Sequence, residues 1–333
     1  MTVLPHEKPI LEMQQTLQKL KDQNKDNPLW SQQELARMEK KLEVMKKTVY
    51  SQLKAWDRVS ICRHPQRPHA IDYIQNLCEE FVEIFGDRTF QDDRAVVCGM
   101  GKIDGQKFIL IGQEKGKDTE SRLSRNFGMM HPEGYRKAMR CMRLAAKFQI
   151  PVVTLIDTPG AYPGLSAEER GQGWAIAQNL WEMARLPTPV IVVVIGEGCS
   201  GGALGIGVGD SIGMMEHAYY SVISPEGCSS ILWKDAKKNA VAAEALKMQV
   251  EDLLGLGVVD RMISEPLGGA HLDPRAAFLS VKTFIKEQWE VLKSVPIDLL
   301  LENRYQKFRK MGKFESIQTD IAHETASPGG APQ

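Results

Sequence analysis

No apolar run in the 333 residues approaches the ~20 needed to cross a bilayer. The N-terminus, MTVLPHEKPILEMQQTLQKL, lacks the charged-then-apolar layout of a secretory leader, so a cytoplasmic protein is expected. Neither sign of charge is in excess: Lys plus Arg number 42, as do Asp plus Glu. A balanced chain has no electrostatic pull toward nucleic acid or an anionic membrane surface, and neither partner is indicated. The six cysteines form no C-x-x-C pair, which argues against a zinc ribbon or a disulfide framework. The seven histidines form no H-E-x-x-H or H-x-x-x-H pair, so no metal is expected.

Glycine is missing from the first 60 residues, which are polar and rich in Lys, Glu and Gln. There Leu35, Met38, Leu42, Met45, Val49 and Trp56 repeat as a heptad stripe broken at Gln52. A weaker stripe (Leu11, Leu17, Leu20) ends before Asn27-Pro28, where a helix should stop. The pattern predicts a helical hairpin over 1–60, either an arm that docks on a partner or a surface pair. CRHPQRPHA (62–70) reads as a proline-punctuated linker.

What the chain does have is a repeated strand–turn–helix rhythm. Hydrophobic residues make up 43% and charged residues 25%, ordinary values for a soluble globular protein. KFILIGQ (107–113), PVVTLID (151–157) and PVIVVVI (189–195) are continuous apolar runs, expected in strands buried on both faces. HPEGYRKAMRCMRLAAKF (131–148) predicts a helix with Pro132 in its first turn and Tyr135, Ala138, Met139, Met142, Ala145 and Ala146 on one face. Ser166 and Glu169 read as a capping box opening a helix to about Leu186. From about residue 239 the chain reads as mostly helical to Lys313, and the tail 316–333 as disordered. The fold class is α/β, a sheet covered by helices.

GEGCSGGALGIGVGD (196–210) places seven glycines directly after a core strand. GEGCSG matches G-x-G-x-x-G, but two strand units precede it and only Glu216 stands near the expected ribose-binding acid, so a dinucleotide site is disfavoured. DTPG (157–160) resembles a phosphate-sensing segment, yet no P-loop accompanies it. What remains needs only backbone: Ser200 as a cap, Gly201 and Gly202 presenting amides at the start of a helix continuing through Val208, and a facing turn at Gly160 and Ala161. Such donors form an oxyanion hole. Tight helix–sheet packing is the alternative use of the glycines. Asp157 reads as a turn-former, Glu197 as a surface acid, and Ser200 and Cys199 lack the frame of nucleophiles.

RNFGMMHPEGYRKAMR (125–140), IDTPGAYPG (156–164), GEGCSGGALGIGVGD (196–210) and SVISPEGCSSILWKD (221–235) together resemble the alpha-subunit family of the acetyl-CoA carboxylase carboxyltransferases, over roughly residues 5–315. Cys199 departs from the glycine more usual there. The resemblance implies a crotonase-like spiral of ββα units over 61–315, a zinc-ribbon beta subunit as partner in an α2β2 assembly, and an active site between the subunits. It implies transfer of a carboxyl group from carboxybiotin, carried on the biotin carboxyl carrier protein and charged by biotin carboxylase, to acetyl-CoA, giving malonyl-CoA for fatty-acid synthesis. Gly201, Gly202 and Ala203, faced by Gly160 and Ala161, would hold charge on the biotin ureido oxygen, with no metal in this chain. Lys115, Lys117 and Arg125, in or beside a basic loop (115–126), are candidates for CoA phosphates or the carrier; a solvated loop is the alternative. A self-sufficient acyl-CoA decarboxylase or hydratase on the same scaffold is the rival reading.

Overall fold

The computed structural model describes residues 3–26 and 29–312. The Asn27-Pro28 break and the 316–333 tail lie outside those residues.

Helices α1 (Lys8–Asp26) and α2 (Gln32–Ser51) form the expected hairpin. Ser31 accepts from the Glu34 amide while Glu34 accepts from that of Ser31, a capping box that fixes the start of α2. The hairpin buries Ile10, Leu17 and Leu42 in a small core of its own, flanked by Leu35, Met38, Met45 and Val49. Trp56 does not continue that stripe. The helix ends at Ser51, and Trp56 lies on α3 (Ala55–Cys62), whose Val59 and Cys62 belong to the main core. The arm therefore stops near residue 51, because the next apolar residues already have the body to pack on.

Strands β1 (Phe81–Glu83), β2 (Val96–Ile103), β3 (Gln106–Gln113), β4 (Val152–Thr158), β5 (Val190–Cys199), β6 (Ser211–Met215) and β8 (Arg261–Ile263) run in spatial order β1-β2-β3-β4-β5-β6-β8, and β7 (Tyr219–Ser221) pairs with the far end of β5. The first two pairings are antiparallel and the rest parallel. Every residue of β4 and β5 is buried, as apolar runs without alternation require.

The covering helices are α4 (Ala70–Leu77), α5 (Thr119–Ser124), α6 (Pro132–Phe148), α7 (Leu165–Glu169), α8 (Gln172–Met183), α9 (Ser200–Leu204), α10 (Pro225–Trp233), α11 (Asn239–Ala245), α12 (Val250–Gly255), α13 (Pro274–Leu292) and α14 (Ile297–Lys310). In α6 the residues Tyr135, Ala138, Met139, Met142 and Ala145 are buried as predicted. The capping box at Ser166 is not formed: Gly164 stands at the N-cap, and Gly171, in a left-handed conformation, splits the segment into α7 and α8. The last helix is pinned by Arg304, which is buried, pairs with Asp210 at 2.7 Å, and donates to the carbonyls of Met183, Leu186 and Thr188.

Candidate active site

The carboxyl ends of β3, β4 and β5 meet at one place, where ligand sites form in parallel sheets. The sheet does not stop where the glycines begin. β5 runs on to Cys199, with Gly198 opposite Thr158 of β4 and Glu197 opposite Tyr219 of β7. Gly196 is there for space: a Cβ would lie 2.3 Å from Asp157 Oδ1. The first part of the glycine stretch is thus packed strand, and the turn begins only at Ser200.

Ser200 is not a cap. Cys199 holds that position, while Ser200 is the exposed first residue of α9, with φ of 55°. The helix ends at Leu204 and does not continue through Val208. Gly202 lies against the facing turn so closely that a Cβ would fall 2.2 Å from the Gly160 carbonyl carbon and 2.4 Å from the Ala161 nitrogen. The two turns are therefore one packed unit. Gln113 binds them: its Nε2 donates to the Gly202 carbonyl at 2.7 Å, and its Oε1 accepts from the Asp157 amide at 3.2 Å.

Packing and donor roles divide among these residues. The Gly160 amide already donates to Thr158 Oγ1 at 3.2 Å, so Gly160 supplies the turn and not a free donor. In a helix that begins at Ser200, Ala203 is the first residue whose N–H meets a carbonyl of its own turn. Among the described residues, the amides of Gly201 and Gly202 donate to no side chain and to no backbone oxygen outside their own helix, and the Ala161 amide in the facing turn has no hydrogen-bond acceptor. Gly201 opens onto a cavity of about 450 Å³ walled by Leu204, Ile212, Tyr220, Val258 and Phe308, with Met311 at the end of the last helix also on its lining. A Cβ at Gly201 would make only ordinary contact with Ile176, 3.5 Å away.

On the other flank of the same strand ends sits a charged cluster that the sequence did not reveal. The segment 62–70 is no linker. Cys62, His64, Arg67 and His69 are buried, and the segment feeds cations to β4 and β5. Asp157 pairs with Lys115 at 2.7 Å and His69 Nδ1 at 3.0 Å, and accepts from the Glu197 amide at 3.0 Å. Glu197 is buried, not at the surface. It meets Arg63 at 2.9 Å, Lys115 at 3.4 Å, and accepts from the Tyr219 hydroxyl at 2.9 Å. Arg63 continues to Glu226 at 2.5 Å. Next along the segment, Arg67 donates to the Ile195 carbonyl at 2.9 Å and pairs with buried Glu265 at 2.6 Å.

Burial by itself would push the Asp157 carboxyl up, but Lys115 and His69 outweigh it and hold it well below the carboxylate range. Burial would likewise pull the Lys115 ammonium down, and Asp157 and Glu197 hold it above its ordinary value. Lys115 is therefore not part of a solvated basic loop; its charge is consumed internally. Lys117 is exposed and pairs with Asp72 at 2.5 Å, and Arg125 donates to the Arg94 carbonyl at 2.8 Å, so the three basic candidates do not converge. Burial pushes the Cys199 thiol up to about 11 and that of Cys62 up to about 12, which leaves neither as a thiolate at neutral pH. Among the described residues no group of His, Cys, Asp and Glu is placed to hold a metal, and no helix is long and apolar enough to cross a membrane.

A sequence profile for proteins described as acetyl co-enzyme A carboxylase carboxyltransferase-like matches residues 3–312. The chain is 60% identical over 314 residues to the acetyl-coenzyme A carboxylase carboxyl transferase subunit alpha of Protochlamydia amoebophila (strain UWE25), covering 94% of this chain and 99% of that one. To the subunit of the same name from Chlamydia trachomatis serovar L2 it is 58% identical over 316 residues, covering 95% and 98%. Among solved structures, it resembles transcarboxylase 12S with a TM-score of 0.56 at 17% identity, over 69% of this chain and 42% of that one. The beta subunit of Pseudomonas aeruginosa geranyl-CoA carboxylase gives 0.55 at 16%, over 74% and 46%. A Pseudomonas malonate decarboxylase hetero-tetramer gives 0.56 at 15%, over 70% and 91%. The chain spans less than half of the first two of these structures. At such identities the likeness concerns fold, and the fold is the crotonase-like α/β architecture expected from the motifs.

Proposed function

The chain belongs to the acetyl-CoA carboxylase carboxyltransferase family, as an alpha-type subunit, and from that premise we infer that it moves a carboxyl group from carrier-borne carboxybiotin to acetyl-CoA, yielding malonyl-CoA. It does so in complex with a carboxyltransferase beta subunit, in an α2β2 arrangement. A biotin carboxyl carrier protein and biotin carboxylase supply the charged group.

The observation that carries this reading is the opening of Gly201 onto a largely apolar cavity, one residue from where Gly202 packs on the Gly160–Ala161 turn. The residues fit a ureido ring system: apolar walls for the rings, and amide donors at one end for a polar oxygen. The carrier-borne group supplies the carboxyl carbon and, once relieved of it, a basic nitrogen for the acetyl methyl. This chain's part is electrostatic. The amides of Gly201 and Gly202, with Ala161 from the facing turn, receive the negative charge that gathers on the ureido oxygen. No dipole has to reorient, because Gln113 and the Gly202–Gly160 contact have already set the donors. The beta subunit provides the corresponding donors for the acetyl-CoA enolate. The scarcity of free acid–base side chains beside the amides supports a base that arrives with the substrate: Asp157 and Glu197 are both committed to cations.

Gly201→Val tests this, because the fold has room there, whereas valine at Gly202 would collide with backbone. With the beta subunit present, carboxyl transfer should fall about 10²-fold, because the added side chain displaces the ring oxygen from amides that themselves remain, while the unfolding midpoint stays put. Near-normal malonyl-CoA formation by that variant overturns the assignment. The rival reading, a self-sufficient decarboxylase or hydratase, is not favoured, because the named alpha subunits align with this chain over its N-terminal arm as well. Carboxyl transfer by the chain alone would revive it.

A further inference from the structure

One side chain on the cavity stands apart chemically from the rest. Among the described lining residues, Lys247 is the sole charged one, on a surface otherwise made by groups such as Leu246, Leu253, Val258 and Phe308. Its one ion-pair partner among the described residues, Asp252, holds it only loosely. The nearest carboxylate oxygen, on Asp252, is 3.9 Å away, beyond hydrogen-bond reach, and the Lys247 side chain is 66% exposed.

The backbone holds this residue in an uncommon state. Lys247 has φ of 49°, in the left-handed region that a non-glycine residue enters at some energetic penalty. Its neighbours enforce the conformation. Leu246 donates back to the Ala242 carbonyl and closes α11 at 2.9 Å, and the Met248 carbonyl accepts from the Tyr220 amide of β7 at 3.1 Å. Met248 is fully buried. The chain is thus fastened on both sides of a strained lysine, and Tyr220, which fastens it, is itself a wall of the cavity.

The geometry points to Lys247 as the residue that distinguishes carboxylated from spent carrier, by pairing with the carboxylate of the charged ring. This rests on the cavity being the biotin site, as proposed above. The cavity then presents the Gly201 backbone, apolar walls, and one loosely paired ammonium, three features that suit an apolar ring bearing both a polar oxygen and a carboxylate. Once the carboxyl group has left for acetyl-CoA, the ammonium loses that counter-charge, and the ring that remains binds less well. Discrimination of this kind favours loading by charged carrier and release of discharged carrier.

The test measures binding as well as turnover. On the assembled alpha–beta complex, dissociation constants for freshly prepared N1′-carboxybiocytin and for biocytin are compared in mildly alkaline buffer, where the carbamate persists. Lys247→Met should weaken carboxybiocytin about tenfold, the loss of one partly exposed charge-assisted contact, and leave biocytin within about twofold. Lys247→Arg should restore most of the difference. Raised salt should weaken carboxybiocytin binding to the native complex more than to Lys247→Met. Equal weakening of both ligands, or of neither, overturns the role of Lys247. Leu204→Trp, which fills the cavity, keeps the two ideas apart. It should abolish binding of both ligands, and if both still bind, the cavity is not the biotin site and the reading beneath this one fails.

Discussion

The two flanks of the β4 and β5 ends are built from the same strands and do opposite things. On the Gly201 flank there are almost no charged side chains, the amides of Gly201 and Gly202 meet no partner beyond their own helix, and the cavity is lined mostly by apolar groups. On the Glu197 flank, Lys115, Arg63, His69, Asp157 and Glu197 are crowded together and matched within 3.4 Å. Charge here is spent on position, and backbone donors are left open. Asp157 accepts the Glu197 amide and so fixes the spacing of β4 and β5 just before the turns begin. A buried, paired carboxylate is a poor base, but it is a good spacer.

Removing one partner from the charged flank should do the greatest damage. Lys115→Met leaves Asp157 and Glu197 buried with less compensation, and should cost about 3–5 kcal/mol in chemical denaturation. Little change in the denaturation midpoint would mean the cluster is not structural. The reverse pattern is expected on the amide flank, where Gly201→Val should remove about 10²-fold of rate by crowding the bound group, with stability intact. If both variants lose stability and rate in parallel, the division of labour is wrong.

The pH dependence sharpens the same contrast. Burial would push the Glu265 carboxyl up, but Arg67 outweighs it and brings the group down from its usual 4.5 to about 2. A lowered folded-state value stabilises the fold in full above the unfolded value, and that stabilisation drains away as pH falls from 4.5 toward 2. Glu265→Gln should flatten the acid limb of the stability profile measured by thermal unfolding, and an unchanged limb would assign it elsewhere. The smallest effect belongs to Tyr219→Phe. It deletes the hydroxyl that donates to Glu197 and accepts from Arg63, while Arg63 still meets Glu197 directly at 2.9 Å, and should cost about 1–2 kcal/mol.

The sequence made the amide flank legible and concealed the charged one, for a physical reason. Strand runs, the α6 face and the paired turns are local patterns, set by periodicities and turn chemistry within about twenty residues. Partners such as Arg63 and Glu197 are 134 positions apart, and no spacing rule joins them. The proline-punctuated 62–70 segment looked like surface because His, Arg and Pro are polar or turn-prone, yet buried Arg67 and His69 each have an acid or carbonyl waiting on β4, β5 or the loop at Glu265. Glycine misled in the other direction. Low strand propensity suggested that β5 ends at Ile195, whereas Gly196 and Gly198 are strand residues chosen for what lies beside them.

The position of α14 has a consequence for how the protein comes into being. Phe308 and Met311 close a cavity whose other wall was laid down a hundred residues earlier at Gly201, and Arg304 latches that helix to loops at Met183 and Asp210. Synthesis must pass Phe308 before this cavity is walled, so the lining laid down at Gly201 waits on a helix made about a hundred residues later.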